Sequence, residues 1–171
     1  MENLGLAEMT GAWDSDRLAK SFVPDGEGSS AEWNHYAQTL FSAVFSHVFE
    51  AGGTNADLYK FLVLSTDAEL AEICAGTEAT QMFSEGASRM LASTRAIVST
   101  YAKPLRDLHP GAGEDGFSIR KLIERDEKRW IFLTARDDQL AYLKPLIAAQ
   151  IDIAASALLT LPESRDRRVW C

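Results

Sequence analysis

Cysteine is scarce in this chain of 171 residues: Cys74 and Cys171 stand far apart, and one of them is the last residue. That rules out a disulfide-stapled scaffold and favours a reducing, cytoplasmic compartment. Long apolar runs are also missing. No stretch approaches the roughly 18 unbroken apolar residues a spanning helix needs, and the opening MENLGLAEMT lacks the basic start and apolar core of a signal peptide. There is no GxxxxGK[ST] sequence, so no loop that would cradle phosphates. Only three histidines occur, without metal-ligand spacing; His35 and His47 fall about 18 Å apart along one helix. No nucleophile-elbow pattern surrounds any serine. The reading is therefore of a chain without a catalytic residue set, metal site or cofactor of its own.

Positive charge is the other shortage. Between Lys20 and Lys60, and again between Lys60 and Arg89, there is no lysine or arginine. Residues 1–113 hold 15 acids against 7 bases, the whole of the net −8, while residues 114–171 hold 10 of each. Nucleic-acid surfaces cluster bases because phosphate contacts need them. An acidic surface instead repels DNA at long range and attracts basic partners, or simply keeps a domain soluble.

What is present is helix after helix. Asp14-Ser15-Asp16 opens a short helix that stops before Pro24-Asp25-Gly26. Ser29 or Ser30 is expected to cap the strongest one, about residues 31–50. There Trp33, Tyr36, Ala37, Leu40, Phe41, Val44 and Val48 recur at three- and four-residue steps, with Phe45 and Phe49 widening the face before Gly52-Gly53. Thr54 caps a helix through Leu64, and Thr66 with Glu69 reads as a capping box for one ending at Gly76. A short helix from Thr77 to about Glu85 leads to a long one, about 87–107, which Pro104 bends or ends.

His109-Pro110-Gly111-Ala112-Gly113 is the clearest linker. After it come a short helix (Phe117–Arg125), a run expected to be a buried strand (Trp130–Thr134), and a helix over Gln139–Leu161 whose start Asp137-Asp138 is expected to cap. Val169-Trp170-Cys171 could begin another strand. This is βαβ grammar, which belongs to a parallel sheet. The last helix is apolar around most of its circumference, as if covered on several sides. The expected fold class is mainly α: a multi-helix bundle (1–113) followed by a short βα(β) remnant of an α/β domain (114–171).

Several segments in this order resemble the coupling proteins of type IV secretion and conjugation. They are Phe22-Val23-Pro24, Glu32-Trp33-Asn34-His35-Tyr36-Ala37, Leu70 to Thr77, Phe117-Ser118-Ile119-Arg120, Trp130-Ile131-Phe132-Leu133, Leu143-Lys144-Pro145-Leu146-Ile147 and Leu161 to Trp170. The resemblance covers nearly the whole chain. It implies the all-α domain of a hexameric, membrane-anchored ATPase, facing the cytosol where plasmid DNA and its relaxase arrive, plus part of a RecA-like motor. With neither Walker A nor Walker B present, this piece is expected to be non-catalytic.

Two sets of residues stand out as binding candidates. Asp67, Glu69, Glu72, Glu78 and Glu85 have no compensating base between Lys60 and Arg89, and could receive a basic segment of a relaxase or other secreted protein. Arg89, Arg95, Lys103 and Arg106 lie on or beside the long helix and could touch DNA phosphates. Cys74, in an apolar helix, reads as a packed thiol rather than a nucleophile. The rival readings are direct DNA binding by the same domain and an unrelated cytosolic helical adaptor.

Overall fold

In the computed structural model, residues 6–108, 118–125 and 130–163 are described. The element on which the others are hung is α2, Ser29–Glu50. Its Ala37, Leu40, Phe41, Ala43, Val44, Phe45 and Val48 are all buried, so the apolar stripe read from the sequence faces the core. Phe22 at the end of α1 (Asp14–Phe22) completes an aromatic cluster with Phe41 and Phe45, ring centroids 5.7–6.0 Å apart. Fully burying each such side chain contributes about 1.5–3 kcal/mol. The expected serine cap is built differently. Gly28, at φ 57°, precedes the first turn, while Ser30 Oγ accepts from Glu27 N at 3.1 Å and donates to Glu27 O at 2.8 Å.

At the far end of α2, Gly52 takes a left-handed φ of 64° and Gly53 N donates back to Val48 O at 2.8 Å. This closes the helix and reverses the chain. Thr54 and Asp57 then form a reciprocal capping box for α3 (Asn55–Tyr59), which runs on as one π-helical turn, Lys60–Leu64. Thr66 and Glu69 do the same for α4 (Asp67–Ile73). A 3-10 segment, Glu78–Phe83, follows, capped by Thr77. Then α5 (Ser88–Ala102) buries Leu91, Thr94 and Val98 against the core. It tightens into a 3-10 segment, Lys103–Asp107, with Pro104 in its first turn, where a missing N–H is harmless.

Beyond the linker, α6 (Ile119–Glu124) and α7 (Leu140–Thr160) pack into the same core, which includes Ile119, Leu143, Leu146, Ala149 and Ile153. The join is polar as well as apolar. Glu8, fully buried, accepts from Ile119 N at 2.6 Å, Ser118 Oγ at 2.9 Å and Arg120 N at 3.1 Å, capping α6 from more than 100 residues away. Arg120 reaches on to Asp14 at 3.6 Å, and Asp14 also holds Arg17 and both the backbone and hydroxyl of Thr10. Burial pushes the Glu8 carboxyl above its ordinary range, outweighing its hydrogen bonds and the Arg120 charge. Burial also acts upward on Asp14, but there the Thr10 hydrogen bonds and the two guanidinium groups prevail and hold it low. Packing therefore runs across the linker.

Three expectations for this part are corrected. Residues 130–134 are not a buried strand: the chain there is extended but unpaired, with Trp130 79% and Phe132 78% exposed and their rings stacked at 6.4 Å. A strand needs a neighbouring edge to satisfy its backbone, and the described residues offer none. Asp137 and Asp138 do not cap α7; the N-cap is Gln139, and Asp138 instead pairs with Arg136. Nor is α7 covered on several sides. One face packs against α1 and α6, while Leu140, Ile151 and Leu159 are exposed. By length and composition α7 could cross a membrane, but it is docked along one face and Ser21 donates to its Asp152. The linker at 109–113, most of the charged run 124–129 and the strand expected at Val169–Cys171 lie outside the described residues.

Candidate functional site

The acidic set divides on inspection. Asp67 is taken by Arg95, and Arg95 also donates to Ser65 O at 2.5 Å, tying α4 to α5. Glu69 is spent on its capping box: it accepts from Thr66 N at 2.7 Å and Thr66 Oγ1 at 2.9 Å, which holds its carboxyl below the usual range. Glu72 on α4, Glu78 at the start of the following 3-10 segment and Glu85 in the turn before α5 are exposed and have no partner among the described residues. These three, on successive elements, are what remains of the acidic face.

The basic set divides in the same way. Arg95 is committed. Arg106 lies 3.3 Å from Asp107 Oδ1, and Asp107 also accepts from Tyr142 OH at 2.6 Å. That hydrogen bond, with the Arg106 charge, holds the Asp107 carboxyl low despite partial burial, while burial and the same bond raise the Tyr142 phenol to about 12. Arg89 and Lys103 are exposed and unengaged, at opposite ends of α5 and about 20 Å apart along its axis. The four bases form no continuous stripe.

A third feature was not singled out from the sequence. Between α1, α2 and the turn leading into Glu78–Phe83 lies a polar groove of about 460 Å³. Its floor is the polar side of α2, with His35, Thr39, Ser42 and Ser46 at helical spacing; Ser15, Asp16 and Lys20 form one wall, and Gly76, Thr77 and Glu78 the other. The signal lay in the hydroxyl-rich positions interrupting an otherwise apolar helix. Ser15 and Ser42 hydroxyls meet at 3.0 Å, and Ser42 donates to Asp16. Cys74 is fully buried, and desolvation lifts its thiol to about 11, so it is packing and not a nucleophile. Among the described residues no histidine, cysteine and carboxylate cluster has metal-binding geometry; His109 lies outside them.

The fold places the chain in a class. Over 99% of its length it superimposes on the conjugative coupling protein TrwB: TM-score 0.84 and 29% identity to the unbound monoclinic form, and TM-score 0.84 and 28% identity to TrwB with the GTP analogue GDPNP. Its mainly helical fold is thus one seen in conjugative coupling proteins. In sequence it is also 28% identical over 164 residues to coupling protein TraD of Escherichia coli (strain K12), covering 92% of this chain. Residues 5–171 match the type IV secretion-system coupling protein DNA-binding domain, and the chain belongs to that family. It spans 23% of the length of TraD and 40–41% of the TrwB chains.

Proposed function

We propose that this chain is the substrate-contacting domain of a coupling ATPase, receiving a basic segment of the relaxase or another transported protein on its acidic side. The observation that carries the reading is the exposed, unpaired trio Glu72, Glu78 and Glu85, set in a chain of net −8 with no base between Lys60 and Arg89. Summed charge of one sign steers an oppositely charged partner and raises its on-rate more than it deepens the final complex. In this reading the parent is a longer, cytosol-facing and membrane-anchored hexamer, and the nucleotide chemistry resides in parts of it outside these residues. Residues 114–171 then belong in part to its motor domain, and the exposed Trp130–Leu133 run faces the rest of that domain. Support comes from its unpaired, exposed and alternating side chains and from the greater length of the relatives.

The test is to reverse Glu72, Glu78 and Glu85 jointly to lysine and measure binding of the cognate relaxase at two salt concentrations. Asp67 and Glu69 are left alone because they hold Arg95 and the α4 cap. Single reversals should each change affinity less than about fivefold. The triple change should weaken binding and flatten its salt dependence. Unchanged affinity with intact helicity would show that the acidity serves solubility alone.

A second reading, direct contact with DNA, is favoured by the family's description as DNA-binding and by the free Arg89 and Lys103. These two must act against the field of the same domain, so the binding expected is weak and steeply salt-dependent. Tight binding of DNA by this chain at about 150 mM salt would make this the better reading.

A further inference from the structure

The groove along α2 shares Glu78 with the proposed acidic surface and adds groups that surface does not use. Its walls are rich in acceptors. Asp16 and Glu78 line opposite sides, and Gln38 commits its amide nitrogen to Val23 O and Asp25 Oδ1, both at 2.9 Å, leaving its carbonyl oxygen as an acceptor. Against these the lining has one lysine, Lys20, and the imidazole of His35, both exposed. The small side chains Thr39, Ala43, Ser42 and Ser46 keep the floor low, and Gly76, at φ 79°, turns the far wall in a conformation costly for other residues. Its volume of about 460 Å³ lies in the 300–1,000 Å³ range of ligand clefts. Two carboxylates and a carbonyl call for a planar, multi-donor cation, and a guanidinium offers five N–H groups in a fixed fork.

We infer that the groove between α1, α2 and the Gly76–Glu78 turn binds an extended peptide segment and seats an arginine of that segment between Asp16 and Glu78. Lys20 then meets a backbone carbonyl of the peptide, and the hydroxyls of Thr39 and Ser46 serve its amide groups. This rests on the basic-segment reading above and gives it a specific receptor: the exposed acids gather the partner, and the groove chooses the residue.

The experiment is an NMR titration of the ¹⁵N-labelled 171-residue chain with the capped tripeptide acetyl-Gly-Arg-Gly-amide. Its neutral citrulline isostere and a thymidine dinucleotide serve as comparisons. Expected are saturable shifts at the amides of Asp16, Thr39, Ser42, Ser46 and Thr77, with the citrulline peptide about tenfold weaker because the charge-assisted bonds are gone. Ser46→Trp, which fills the groove without altering charge, should abolish the shifts. Asp16→Asn, which keeps an acceptor for Ser42, should weaken the arginine peptide and leave citrulline unchanged. No shifts at these amides, equal binding of citrulline, or larger shifts with the dinucleotide would overturn the inference. If the relaxase binds S46W as well as it binds the unaltered chain, yet fails to bind the triple lysine variant, the groove is refuted and the acidic-surface reading stands. Arginine-peptide shifts in a chain that captures no relaxase would do the reverse.

Discussion

Replacing Glu8 tests whether the two halves of the sequence are held together by one buried carboxylate. In Glu8→Ala the Ile119 and Arg120 amides and the Ser118 hydroxyl lose their acceptor, and Arg120 loses a nearby countercharge. Unpaired buried donors cost about 1–3 kcal/mol each when water cannot reach them. Against this, a buried carboxylate carries its own desolvation penalty, which the upward-shifted Glu8 shows to be larger than its compensation. The net expectation is a loss of about 3 kcal/mol, within the 3–5 kcal/mol seen when one member of a buried charged network is removed. In a domain of this size that lowers the thermal midpoint by about 6–12 °C. Glu8→Gln keeps an acceptor and the volume, and should lose about 1 kcal/mol at neutral pH.

The pH dependence separates charge from shape. Because the folded pKa of Glu8 lies above the unfolded value near 4.5, the folded state binds more protons between the two. Its contribution therefore falls as pH rises through that window, and is most favourable below it. The gap between the unaltered chain and Glu8→Gln should accordingly be widest at low pH and narrow towards neutrality. Calorimetric melts of both proteins across pH 4–7 provide the check. A Glu8→Ala loss below about 1 kcal/mol, or a gap that widens towards neutral pH, would refute the reasoning.

Two further outcomes follow from packing. A chain ending at Gly113 lacks every partner of Glu8 and uncovers the side of α1 that α7 occupies, so it should remain helical by circular dichroism but melt well below the full chain; equal midpoints would show that packing across the linker contributes nothing. Cys74, buried and with its thiol raised to about 11, should resist iodoacetamide in the native protein at pH 8 and react in urea, as peptide mapping by mass spectrometry would show.

Legibility in the sequence followed the range of the interactions. The Thr66–Glu69 capping box and the α2 stripe depend on residues three or four apart, and both were readable. So was the ending of α5 near Pro104. Arg95 read as a DNA candidate because its partner Asp67 lies 28 residues away and nothing local announces the pairing. The Glu8 clamp bridges 110–112 residues and is invisible to any periodicity. Trp130–Leu133 shows the converse: its local pattern does favour a strand, but pairing is a property of a neighbour, and among the described residues no neighbour is supplied. The groove needed α1 laid beside α2 before its polar positions could be seen as a floor.

The exposure of the tryptophans has an optical consequence. Trp13 and Trp130 are 75% and 79% exposed and Trp33 is only half-buried, so none of the described indoles sits in the apolar interior. Their emission in the native chain is already that of a hydrated ring, and unfolding leaves it little further to travel. The fluorescence of these three tryptophans would thus change little on denaturation. It would respond instead to anything that covers the stacked Trp130–Phe132 pair. For these three indoles a blue shift is a signature of docking, not of folding.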